Sequence, residues 1–157
     1  MSDSSLYSDY IMTRQRVDQL ERVEKSATYL TLRRTTTQSL TTAGTIVSWE
    51  DAVRNVGFTW SAGTSITIPQ SGYYLMDITM SFGSNTSFSV ELLLASVAVA
   101  RLVNSQGGNA FRFAGTRFFT TGDSIEFRAL VGANRTLAVN AYGTADESPF
   151  LHIVRVA

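Results

Sequence analysis

The chain has no cysteine among its 157 residues. That excludes disulfide scaffolds, thiolate metal sites and cysteine nucleophiles, and it leaves the redox compartment open. Proline occurs only as Pro69 and Pro149, lysine only as Lys25, and histidine only as His152. One imidazole is too few for a histidine-based metal site, and it is the sole base for any Ser-His-Asp set. Basic and acidic residues number thirteen each. Without a clustered cationic excess, no nucleic-acid partner is expected. No apolar run approaches the ~20 residues that cross a bilayer, so membrane insertion is not expected either. The opening MSDSSLYSDYIM has no basic n-region and no apolar h-region, and does not read as a secretory signal. Cytoplasmic synthesis is the expectation. The length suits one compact domain with a short appendage, and a core that needs no metal or cross-link to fold.

What is present divides into two zones. Residues 9–27 hold no Gly or Pro, and Leu6, Tyr10, Thr13, Val17, Leu20, Glu24 and Ala27 recur at alternating spacings of four and three. This is an a/d seam of about three heptads, with Thr13 and Glu24 as polar faults. It predicts a short α-helix within residues 1–30, too short to hold chains together unaided. A single amphipathic helix lying on its own domain fits the same spacing. Tyr10, Ile11, Met12, Val17 and Leu20 give this segment more apolar surface than a solvated tail keeps, which marks them as anchoring residues for a larger assembly.

From Leu30 onward the period is two, with β-branched and aromatic residues set between Gly, Asn and Ser breaks. Strands are predicted at 31–42, 45–49, 58–60, 65–69, 72–82, 88–95, 97–103, 110–120, 124–131, 136–142 and 150–156. Gly107-Gly108, Gly122-Asp123 and Ala133-Asn134 supply turns. About ten short strands, uninterrupted by any helical pattern, predict an all-β sandwich or jelly roll over residues 31–157 and exclude a parallel α/β sheet. The clearest element is 72–82. Tyr74, Met76, Ile78, Met80 and Phe82 share one face, and Tyr73, Asp77, Thr79 and Ser81 the other. Phe111, Phe113, Phe118 and Phe119 crowd one hairpin, while Phe150, Leu151, Ile153 and Val154 occupy both faces of the last strand. A strand apolar on both faces is covered twice. An ordinary central core strand reads the same way. The sharper expectation is that Phe111, Phe113, Phe119, Leu151 and Ile153 meet neighbouring subunits.

Three segments carry a resemblance: Ile68-Pro69-Gln70-Ser71-Gly72-Tyr73-Tyr74-Leu75, Gly122-Asp123-Ser124-Ile125-Glu126-Phe127 and Ser148-Pro149-Phe150-Leu151-His152-Ile153. In that order and spacing, with Thr45-Ile46-Val47-Ser48-Trp49 ahead of them, residues 33–157 resemble the C1q/TNF-like jelly-roll superfamily. The resemblance implies a ten-stranded jelly roll assembled as a homotrimer around a threefold axis. It also gives the N-terminal seam the place of a stalk, here a helix, since no Gly-X-Y repeat exists in the chain. In this the chain looks more like the C1q-like knobs of phage virion surface proteins than like secreted complement or cytokine domains.

Chemistry is sparse. His152 sits within the final apolar strand and reads as a strand histidine rather than a catalytic one. Glu50-Asp51 and Asp146-Glu147 are expected to be solvated loop pairs. Asp77 and Glu91 are expected to pair with Arg128 or Arg112 across a sheet. Gly107-Gly108 opens no helix and makes no phosphate cradle. Asn85-Thr86-Ser87 and Asn134-Arg135-Thr136 match the glycosylation sequon but read as turns. Tyr142, Tyr73 and Trp60 have the rings to stack on a sugar, against a stronger reading of burial in the core or an interface. No catalytic residue, resident metal or cofactor is expected. Calcium at the apical loops suits the resemblance, and no ligand set here matches it residue by residue.

The expected function is that of a non-enzymatic homotrimeric virion structural protein at the virion surface. It would be a capsid decoration or head-fibre protein fixed to capsid or tail proteins by its N-terminal segment. Two alternatives stand beside it: a knob on a tail or fibre that binds a host receptor or glycan, and a soluble C1q/TNF-like ligand.

Overall fold

In the computed structural model, the described residues are 28–139 and 149–156. The predicted helix of residues 1–30 falls outside them except at its end, where Tyr29 and Leu30 belong to a strand instead. Ten strands follow one another: β1 (Tyr29–Arg33), β2 (Gln38–Leu40), β3 (Thr45–Ile46), β4 (Asp51–Val56), β5 (Ile66–Thr67), β6 (Gly72–Leu94), β7 (Val97–Phe119), β8 (Ser124–Val131), β9 (Arg135–Leu137) and β10 (Phe150–Arg155). Every strand pairing among them is antiparallel.

Two of the strands are not short. β6 and β7 each run 23 residues and pair with each other, with register shifts between Ser81 and Phe88. Gly83 on one strand and Gly107-Gly108 on the other stand where the shifts fall, and without Cβ atoms the ribbon can bend there. The ribbon therefore serves two layers. In the first, Tyr74–Thr79 of β6 pairs with β10, giving the order β4–β1–β10–β6–β7. In the second, Phe88–Leu94 of β6 pairs with β8, whose other edge takes β3 and β5. A small third pairing joins β2 to β9 and β9 to Phe82 of β6. The hairpin that links β6 to β7 is a two-residue turn at Ala95 and Ser96, both at positive φ (47° and 67°). That is type I′ geometry, which matches strand twist but is strained for residues with a Cβ.

The core lies between the layers. Tyr74, Met76, Ile78, Met80 and Phe82 are all buried, as the period-two reading of 72–82 requires. They meet Leu30, Leu32, Leu151 and Ile153 from their own layer and Val90, Leu92, Ile125 and Phe127 from the facing one.

Several predicted elements change. Asn85-Thr86-Ser87 and Gly107-Gly108, expected as turns, lie within β6 and β7, and the strand expected at 136–142 ends at Leu137 as β9. The strand expected at 58–60 is loop, in which Phe58 is buried against Tyr74 with ring centroids 6.2 Å apart. β4 takes its place nearer the N-terminus. As the outermost strand of its layer it is mostly exposed, so it carries no apolar alternation to read. The stretch 31–42 is broken at residues 34–37, where Arg34 turns inward instead of continuing a strand. It is 3% exposed.

Glu50 explains that break, and it corrects the solvated-pair reading of Glu50-Asp51. Asp51 pairs with Arg33 across β1 and β4 at 2.7 Å. Glu50 accepts the backbone N–H groups of Thr35 and Thr36 at 2.7 and 2.8 Å, and their hydroxyls as well. Arg34 donates to Glu50 at 3.0 Å, to the Ser48 carbonyl and hydroxyl, and to the Thr36 carbonyl at 3.1 Å. Burial raises the Glu50 carboxyl, but the hydroxyl and backbone donors of Thr35 and Thr36 outweigh it and hold the group down at about 2. Burial likewise lowers the Arg34 guanidinium, against the pull of Glu50. A charged knot thus closes the end of the sandwich next to Trp49.

Candidate functional site

Alternation sends every second side chain of the first layer away from the core, onto a face spanning five strands and about 20 Å wide. The registers set these outward residues in rows. Val56, Tyr29, Val154, Leu75 and Thr116 form one row across β4, β1, β10, β6 and β7. The next holds Arg54, Thr31, His152, Asp77 and Ala114, and a third Asp51, Arg33, Phe150, Thr79 and Arg112. Beyond the first row, Tyr73 lies opposite Phe118, and Val156 donates its N–H to the Tyr73 carbonyl at 2.8 Å.

The face is therefore split in two. At one end Tyr73 and Phe118 make an edge-to-face pair at 5.3 Å while remaining 51% and 52% exposed. Leu75, Val156 and Val56 beside them are exposed too, and Tyr29 and Val154 are half-buried. Left facing water, such a cluster of aromatic and branched side chains loses the stabilisation its area offers, so it marks a contact surface.

The other end is charged and internally matched. Arg112 grips Asp77 with Nη2 at 2.7 Å and Nε at 3.2 Å. The Arg112 hydrogen bond holds the Asp77 carboxyl below its ordinary range against the effect of burial, with the Arg112 and His152 charges adding to it. His152 is exposed, its Nδ1 lies 3.1 Å from the Thr31 hydroxyl, and its ring stacks on Phe150 at 6.0 Å. In the second layer Arg128 pairs with Glu91 at 2.5 Å. Both expected carboxylate–arginine pairs thus form.

The interface residues read from sequence fall differently. Phe119, Leu151 and Ile153 are at most 1% exposed inside a single chain, packed into its own core. They leave nothing for a neighbour to cover. Their strand companions one position away, Phe118 and Val154, are the ones that face outward; a phase error of one residue moves a side chain to the opposite face. The side chains of Phe111 and Phe113 lie outside the described residues, as do Tyr10, Ile11, Met12, Val17, Leu20, Tyr142 and the pair Asp146-Glu147. Trp60 is half-buried against the core and Tyr73 is open. The signal that would have found the surface is the run Tyr73-Tyr74-Leu75 together with Phe118-Phe119. Adjacent apolar residues in a strand must point opposite ways, so one of each pair has to leave the core. Among the described residues no group of three or more His, Asp or Glu side chains is gathered for a metal ion.

No protein-family model matches the chain, and no curated protein matches it by sequence. Solved structures do match. Crystalline murine APRIL at pH 8.5 superposes with a TM-score of 0.60 at 21% identity, over 83% of this chain and 100% of that one. The globular domain of zebrafish complement 1qA protein gives 0.57 at 11% identity, covering 83% and 98%. Pika GITRL gives 0.51 at 15% identity, covering 83% and 96%. The fold is a C1q/TNF-like jelly roll.

Proposed function

We propose that this chain is a non-enzymatic homotrimeric structural protein whose copies meet through the apolar end of the first layer's outer face. Within that reading it is displayed on a phage particle as a capsid decoration or head-fibre protein, anchored by the N-terminal segment ahead of β1. The observation that carries self-association is the half-exposed Tyr73–Phe118 pair with Leu75 and Val156 around it. Rigid aromatic side chains at the centre of an apolar patch are what interface cores are made of. The C1q/TNF-like fold supports three copies, since the resemblance implies a trimer. The particle reading is supported by the heptad seam with Tyr10, Ile11, Met12, Val17 and Leu20, which stands where a stalk is expected.

Light scattering on the full chain tests the first part. The expected mass is three times 17.2 kDa, falling to one chain in Tyr73→Asp/Phe118→Asp with the circular dichroism of the folded protein retained. A monomeric wild type, or a double variant that stays trimeric, overturns it. Particles lacking this component test the second part, when offered the full chain and a form without residues 1–27. Equal decoration by both overturns the anchor. The fold-level likeness to murine APRIL and zebrafish complement 1qA is equally compatible with a second reading, a soluble C1q/TNF-like ligand. That reading expects neither form to decorate particles.

A further inference from the structure

Among the described residues β7 pairs only with β6, so it is the edge strand of both layers there, and a crevice of about 110 Å3 opens between its two halves. Met76, Ile78, Val90, Leu92 and Phe127 line it from within. Two of the β7 positions opposite these residues are small: Gly115 faces Met76, and Ala100 faces Leu92. A branched side chain at either would close the sandwich. Leaving the hollow open forfeits dispersion contacts that close-packed interiors normally make.

Two arginines frame the mouth. Arg117 is half-buried and donates Nη1 to the Val99 carbonyl at 3.2 Å, bridging the two halves of β7. Among the described residues no carboxylate pairs with it. Arg101 bonds the Ser89 hydroxyl at 3.1 and 3.2 Å and lies 3.7 Å from Glu91. That carboxylate is already held by Arg128 at 2.5 Å. The mouth is thus cationic above an apolar floor, which is the complement of an anion with an apolar body.

We propose that this crevice binds a small amphiphilic carboxylate, its ring or short chain on Met76, Ile78 and Leu92 and its carboxylate against Arg117, with Arg101 alongside. An apolar cavity of about 150 Å3 takes up benzene. A hollow of about 110 Å3 with an open mouth therefore suits one ring, or a chain of about four to six carbons. The site lies between the layers, apart from the outer face, and so goes beyond the self-association reading.

Benzoate and benzyl alcohol, titrated against the full-length methyl-labelled protein and followed by NMR, test it. Benzoate is expected to shift the Met76, Ile78, Val90 and Leu92 methyl signals to saturation. Arg117→Gln should weaken benzoate about tenfold and leave benzyl alcohol nearly unchanged. Ala100→Leu, which fills the entrance, should abolish both. If Ala100→Leu does not fold, nuclear Overhauser contacts from the benzoate ring to the Met76 and Ile78 methyls in the wild type decide, and their absence overturns the site. Benzoate shifts that are missing, that survive Ala100→Leu, or that fall with Arg117→Gln only as much as the alcohol's do, overturn it as well.

Discussion

Along the first half of β6, neighbouring residues live in opposite environments. Tyr74 and Met76 are 0% and 3% exposed, whereas Tyr73 and Leu75 are 51% and 39% exposed. Both sets are apolar. The inward set is covered by the second layer of the same chain, and the outward set by nothing among the described residues. A strand apolar on both faces thus has one partner supplied internally, and the proposed trimer supplies the other from a second copy. The polar groups show a parallel contrast. The arginine of the Asp77–Arg112 pair stands open to water, while Arg34 of the Glu50 pair is buried in a hydrogen-bonded knot.

The strongest way to break the comparison is to place a carboxylate on the inward face. Ile78→Asp buries an unpaired charge in a site that is 1% exposed, at a cost of several kcal/mol, and soluble expression and circular dichroism should show a chain that does not fold. A folded variant would mean the strand phase is wrong.

The polar contrast comes next. Glu50→Gln leaves Arg34 buried without its counter-charge and should cost about 3 kcal/mol in urea unfolding at pH 7. Because the folded-state value of Glu50, about 2, lies below the ordinary 4.5, its contribution is complete above pH 4.5 and is lost as pH falls towards 2. Wild-type stability should drop through that window, and Glu50→Gln should flatten the drop. An unchanged pH profile in the variant would remove the knot from the account.

Leu75→Asp repeats the first experiment three residues earlier, on the outward face. Its effect on single-chain stability should stay within about 1 kcal/mol, while the oligomer seen by light scattering dissociates. Loss of folding would show that Leu75 belongs to the core. Smaller still is the effect expected at the β6–β7 turn, where Ser96→Gly relieves a positive φ of 67° and should raise stability by about 0.5–1 kcal/mol in thermal unfolding. A lower midpoint would remove the strain argument.

Much of the fold is legible in the sequence because burial on one face leaves a period-two record. The β6 core row, β8 and β10 are written that way, and so are the pairings of Asp77 and Glu91 with arginines. β4 left no such record, because an edge strand facing water on both sides is under no demand to alternate. Residues 34–37 read as strand for a different reason. A Thr-rich stretch looks extended, and nothing local shows that Arg34 will meet Glu50 sixteen residues later.

The sequence by itself determined the class: all-β, cysteine-free, one jelly roll with surplus apolar surface. Only the tertiary structure decided which of each adjacent apolar pair is the surplus one. Period two says that Tyr73 and Tyr74, or Phe118 and Phe119, point opposite ways, but it does not say which way is in. That choice is made by the register of β6 against β7 and β10, fixed residues away in sequence, and by the second layer that covers one face and leaves the other open.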